Sequence, residues 1–118
     1  MEAQRLAQPG AKMPFDERLA DRIREFVPKA TEKRMFGGIG WMERGNLVVG
    51  VLGDEMIARV GPAATAEALA QEGVRPFDFT GKAMSGWVMV SQECLPEDED
   101  IAAWVERCRK FARTLPAK

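Results

Sequence analysis

Between Lys33 and Val60 the chain carries three stretches of strand character separated by connections of only two or three residues, and no other feature narrows the fold as much. Arg34 to Met42 reads as one strand loosened by Gly37, Gly38 and Gly40, since glycine inside a strand weakens it and marks a bend, a bulge or a close backbone approach. Arg44-Gly45-Asn46 makes a short turn in which Gly and Asn accept positive φ. Leu47 to Leu52 is rich in β-branched residues, as strands prefer. Gly53-Asp54 then connects it to Glu55–Val60. Parallel neighbours need a crossover of a dozen residues or more, so connections this short join antiparallel strands. The segment is an antiparallel meander.

The remaining elements have to cover it. Phe15, Leu19, Ile23 and Phe26 recur at helical spacing and predict a first helix from Phe15 to Val27, stopped by Pro28. Gly61-Pro62 opens a second helix over Ala63–Gln71, ended by Gly73. Arg75 to Thr80, with Phe77 and Phe79 alternating about Asp78 after Pro76, predicts a short edge strand. Gly81 to Gly86 is a loop, and Trp87–Val90 a fifth strand. Pro96 and the acidic turn Glu97 to Asp100 start the last helix, where carboxylates suit the positive end of the dipole. Ile101, Trp104, Val105, Cys108, Phe111, Ala112 and Leu115 form its stripe, and Pro116 ends it. The order is α-β-β-β-α-β-β-α. Helices with one apolar stripe each must pack on something, which predicts an α+β fold of two layers, a five-stranded, mainly antiparallel sheet packed with helices. Residues 15–118 form one domain behind a flexible leader over 1–14, in which Met13 is an alternative start.

Several function classes drop out on composition. With 118 residues, 17 Lys and Arg against 18 Asp and Glu, the net charge is -1 and gives no general attraction to nucleic acid or anionic membrane. No apolar run approaches the ~20 residues of a membrane span, and the first residues lack a signal-peptide core, so the cytoplasm is the expected compartment. The two cysteines, Cys94 and Cys108, are expected to be reduced, Cys108 in the helix core and Cys94 an incidental loop residue. The chain contains no His and no Tyr. That removes the commonest general base and the commonest transition-metal ligand, and with them Ser-His-Asp and Cys-His nucleophile arrangements. No CxxC pair offers a zinc site. Gly37, Gly38 and Gly40 match neither phosphate-loop motif: Glu43 stands where a third glycine would fall, and the segment leads into a strand rather than a helix. Neither a metal nor a cofactor is expected.

Surface chemistry is the alternative. Lys29, Lys33 and Arg34 straddle the first helix–strand junction, and Arg107, Arg109, Lys110 and Arg113 lie near the end of the last helix. Their ordinary reading is a solvated face with dipole complementation. The sharper one is a patch for nucleic acid or an acidic partner, whose binding would weaken steeply with salt. Trp41, Trp87 and Trp104 are expected in the core, with Trp41 a candidate for the rim. Arg59 breaks an apolar strand, either as the solvent-facing member of the alternation or as part of a polar contact face.

The run Arg34-Met35-Phe36-Gly37-Gly38-Ile39-Gly40 with Gly45-Asn46, the run Ile57-Ala58-Arg59-Val60-Gly61, the stretch from Phe79 to Trp87 and the Trp104 helix together resemble the N-terminal domain of the TfoX/Sxy competence regulators. The resemblance covers about Phe15 to Pro116. It implies a secretion-chaperone-like two-layer α+β fold and a regulatory association, since the full-length regulators act on transcription of DNA-uptake genes with a cyclic-AMP-responsive activator. Those regulators carry a second, helical domain, and this chain stops at Lys118. The resemblance supplies no catalytic residues; Met35, Phe36, Gly37, Gly38, Arg59 and Gly61 are its motif positions, with structural roles expected. The resulting expectation is a non-catalytic, protein-binding regulatory domain, with direct DNA binding as the alternative. A small-ligand or enzymatic pocket near Gly37 and Gly38 comes third, and homodimerisation through spare sheet edges remains open.

Overall fold

A computed structural model describes residues 15–35, 37–77 and 85–118. The leader over 1–14, Phe36, and the readings at Asp78, Phe79, Thr80 and residues 81–84 lie outside the described residues. Helix α1 spans Glu17–Arg24, shorter at both ends than the periodicity predicts. Asp16 caps it, accepting from the Arg18 and Leu19 amides at 2.9 and 3.2 Å, so Phe15 falls outside and instead bridges to Gly53. The helix stops well before Pro28, whose ring disfavours helical geometry in the residue preceding it.

The sheet has six strands rather than five: β1 Thr31–Met35, β2 Gly38–Glu43, β3 Asn46–Leu52, β4 Glu55–Arg59, β5 Val74–Pro76 and β6 Trp87–Val90. Their order is β1-β2-β3-β4-β6-β5, every neighbouring pair antiparallel. The extra strand arises because the stretch read as one strand folds back on itself at Gly37. Met35 pairs with Gly38, leaving a two-residue connection in which Gly37 has φ +80°, a conformation that favours glycine. Beyond β4, a short 3-10 turn Pro62–Ala64 leads into α2, Thr65–Leu69, again shorter than predicted. Helix α3 spans Asp98–Ala112.

Strand side chains alternate between faces, and the alternation divides the core in two. On one face Ile39, Trp41, Val49, Val51, Met56 and Val88 are buried with Leu19 and Ile23 of α1 and Ile101, Trp104 and Cys108 of α3. Trp41 is only 1 % exposed and is no rim residue; its indole Nε1 donates to Glu32 Oε1 at 3.0 Å. On the other face Leu47, Ile57, Phe77 and Met89 form a second buried cluster, with Met35, Met42, Leu52 and Trp87 half-buried around it. Among the described residues, none from a helix belongs to that second cluster.

One knot ties β4, α2 and β6 together. The Gly86 carbonyl accepts from the Val60 and Gly61 amides at 2.9 and 3.0 Å. The Thr65 hydroxyl donates to Gly61 O at 2.8 Å and accepts from the Gly86 amide at 3.0 Å. Gly61 has φ +91°, and a Cβ there would stand 2.4 Å from Cδ1 of Phe111. Strain and overlap act together at this position, so Gly61→Ala is expected to lower unfolding free energy by about 2–4 kcal/mol in urea titration. Gly53 also has positive φ but open space around its Cβ position, and Gly53→Ala should cost only about 1 kcal/mol. Equal costs would mean that the Phe111 ring yields freely.

Acid stability follows from the α1 cap. The Gln92 amide, donating to Asp16 Oδ2 at 3.0 Å, is the main cause holding the Asp16 carboxyl below its ordinary value of 3.8, aided by the two cap amides. A carboxyl depressed in the folded state stabilises fully above the unfolded value, and that contribution disappears as pH falls through the folded one. The stability of the protein should therefore drop below about pH 3.8, and Asp16→Asn should flatten this part of a pH–stability curve; an unchanged slope would remove the assignment.

Candidate functional site

The open face of the sheet is where chemistry-bearing residues meet. Met35 of β1 leans across Gly40 of β2, where a Cβ would lie 2.6 Å from Leu47 Cδ1 and 3.1 Å from Met35 Sδ. Glycine at 40 thus lets the two side chains close over the strand. At Gly38 the constraint is the backbone itself, since a Cβ would lie 2.1 Å from the Val51 carbonyl oxygen. At the far side of the face Phe77 stacks on Trp87, ring centroids 5.7 Å apart at 25°.

Arg59 stands beside that stack. The β4–β6 register pairs it directly with Trp87, and its guanidinium lies 5.1 Å from the Trp87 ring centroid and 5.7 Å from that of Phe111. These are cation–π distances. Burial alone pulls its pKa below the usual guanidinium value, yet an arginine stays charged. No oxygen of the described residues accepts from it; its neighbours are the two rings. Strand alternation starts Arg59 on the face opposite the helix-packed core, and its long side chain still reaches Phe111 of α3. Sequence reasoning did not find its place between the rings of Trp87 and Phe111, because those lie far along the chain.

The two basic groups fall out unevenly. Lys29 is exposed in the turn after α1 and Lys33 is exposed on the open face, whereas Arg34 points to the helix side, 5.1 Å from the Phe15 ring. On α3, Arg107 lies over Trp104 at 4.4 Å. Arg109 Nε is 3.2 Å from Glu43 Oε2 but off hydrogen-bond alignment. Arg113 is 3.7 Å from Glu106, and Lys110 is exposed. The register puts Thr31, two residues from Lys29, opposite Met42 and hence near the Glu43–Arg109 pair, while Arg34 sits at the other end of β1. The structure does not join all seven into one patch.

Elsewhere the polar groups serve the fold. Glu97 to Asp100 cap α3, the Glu97 amide donating to Asp100 Oδ2 at 2.9 Å. An open groove between α1 and α3, lined by Arg22, Phe26, Pro96 and Asp98, is spanned by Arg22, which donates to Leu95 O at 2.9 Å and lies 3.3 Å from Asp98. Among the described residues no three His, Cys, Asp or Glu side chains converge to hold a metal ion, and no helix is long and apolar enough to cross a membrane. Both cysteines are free thiols. Cys94, in the short turn Gln92–Cys94, is half-buried with Sγ 3.1 Å from Glu72 O.

The fold is thus an α+β domain with an open antiparallel sheet, helices packed on one face and an apolar, arginine-bearing strip on the other. The TfoX N-terminal domain family matches residues 21–112, and the chain belongs to that family. No curated protein and no solved structure matches the chain.

The thiols make a direct check on the core. Burial pushes the Cys108 thiol up to about 12, opposed by hydrogen bonding from the Arg59 backbone, and burial also raises Cys94. Only thiolate reacts. Iodoacetamide at pH 8 should therefore modify Cys94 slowly and Cys108 only in denaturant, as read by intact mass and peptide mapping. Fast native labelling of Cys108 would contradict the α3 packing.

Proposed function

We propose that this domain is a non-catalytic regulatory module, a transcriptional accessory factor of the kind its family resemblance implies, that docks a partner protein on the open face of its sheet. The composition of that face carries the reading. Met35, Met42, Leu52 and Trp87 are half-buried apolar side chains around a buried centre, with Arg59 beside them. Aromatic residues, Met and Arg are the types enriched in interface cores, and unbranched Met side chains let a surface adapt to its partner. The accessible apolar surface of this face comes from those four half-buried side chains, and apolar surface gathered in one place marks contact sites. Two free thiols suit the reducing cytoplasm in which we place it. Ion pairs to Glu43 and Glu106 occupy Arg109 and Arg113, which supports a protein partner over a phosphate backbone.

The test is co-purification from host cells with wild-type protein and the Met35→Lys/Met42→Lys double variant, both checked for cooperative unfolding. Two charges placed on the strip should cut recovery of a reproducible partner by about tenfold or more. Equal recovery, or duplex-DNA binding that is salt-sensitive and indifferent to the double variant, would replace this reading with another.

A further inference from the structure

We infer that the open face receives an acidic, apolar segment of the partner protein, whose carboxylates are taken by Arg59 and Lys33; this rests on the docking reading above. Strand alternation puts four charged residues of the described chain on that face: Lys33, Glu55, Arg59 and Arg75. Glu55 and Arg75 form an ion pair with each other. What remains without a carboxylate is Lys33 and Arg59, both cationic. Among the described residues the uncompensated charge of this face is of one sign, which is complementary to the opposite sign.

Arg59 is built to donate. The half-buried Arg22, Arg24 and Arg109 all meet oxygen partners. Arg59, like Arg107, meets only rings. A ring accepts no N–H···O bond, so a guanidinium whose neighbours are rings keeps donors for the two-pronged grip of a carboxylate. The charge is already partly stripped of water, so an incoming carboxylate restores what burial removed and meets less competition from solvent.

The register sets the spacing of the two anions. Lys33 pairs with Gly40, Gly40 with Gly50, and Gly50 with Ile57, so Lys33 and Ile57 lie on one line across the sheet. Three strand spacings and the two-residue step from Ile57 to Arg59 put the cationic positions about 16 Å apart, roughly five residues of extended chain. Within that span lie the buried Leu47 and Ile57 and the half-buried Met42, while Met35 sits just beyond Lys33. A second copy of this chain is the poorer occupant, because two-fold pairing of the face sets the same unpaired cations on both sides.

Selection of displayed random dodecapeptides on the intact protein tests this. Enriched peptides should carry Asp or Glu flanking bulky apolar residues, and should shift the NMR signals of the Trp87 indole and the Met35 and Met89 methyls. Arg59→Gln and Lys33→Gln should each weaken binding by about tenfold, and Arg113→Gln should not. Replacing the peptide acids by amides should weaken binding to wild type but add little to the loss in each variant, the signature of a direct pair. Lys33 is exposed, so Lys33→Gln keeps the cycle usable if Arg59→Gln unfolds. Amide peptides binding the same face as tightly as acidic ones would overturn the acidic partner while leaving the docking face standing. Peptides that leave the Met35 and Trp87 signals unmoved would overturn both. A dimer that buries the face against peptide, or duplex DNA displacing it through Arg59, would overturn the inference as well.

Discussion

The pairing of β6 with β4 is the contact on which the other features depend. Met56, Ile57, Ala58 and Arg59 are matched to Val90, Met89, Val88 and Trp87, residues that arrive only after α2 and β5 have been made. This return threads β6 between β4 and β5, so β5 touches the sheet through β6 alone. One register then supplies both faces: Val88 and Val90 complete the layer under α1 and α3, while Trp87 and Met89 complete the other side. It also puts Gly86 where its carbonyl can hold Val60 and Gly61. A two-residue slip along β4 would keep every side chain on its face, yet it would separate Arg59 from Trp87. Register here is therefore fixed by the glycine knot as well as by hydrophobic alternation.

An antiparallel sheet with helices on one side ordinarily turns a polar face to water. This one does not. The strands β2, β3, β4 and β6 put Met42, Leu47, Leu52, Ile57 and Met89 on the side away from the helices, so apolar side chains occupy both sides of the same four strands. Ion pairs form on both sides, Glu55 with Arg75 on the open one. Glu43 with Arg109 and Glu32 with Arg24 are matched on the helix side. Among the described residues, Lys33 and Arg59 are left without a carboxylate on the face away from the helices, as Arg107, which meets only a ring, is on α3.

The pattern of the chain shows most of this fold and little of its site. The meander, the stripe of α3 and the α+β layering follow from apolar patterning, because a β-branched run held between turn residues, such as Leu47 to Leu52, admits few other arrangements. Strand β1 is invisible to such reasoning, since Thr31 to Arg34 is an exposed edge with no apolar alternation to read. Its existence hangs on a backbone property, the positive φ of Gly37. The helix ends were misplaced for a related reason: Phe15 and Val27 are buried and so continue the apolar spacing of α1, although Asp16 has already capped it. Burial alone does not tell a helical residue from one packed just beyond the cap.

Arg59 illustrates the remaining gap. Its side of the strand is readable from alternation, but its chemistry is set by Trp87, 28 positions later, and by Phe111 on α3. Sequence spacing cannot say that two rings will converge on one guanidinium. Only the β4–β6 register and the close approach of Phe111 to Gly61 bring them together. A lysine here would offer a compact point charge on a flexible stem, whereas the planar guanidinium of arginine can lie beside rings and still present a fork of donors. The glycine knot and the setting of Arg59 are consequently linked: whatever loosens the contact between Gly61 and Phe111 also moves one of the two rings beside Arg59.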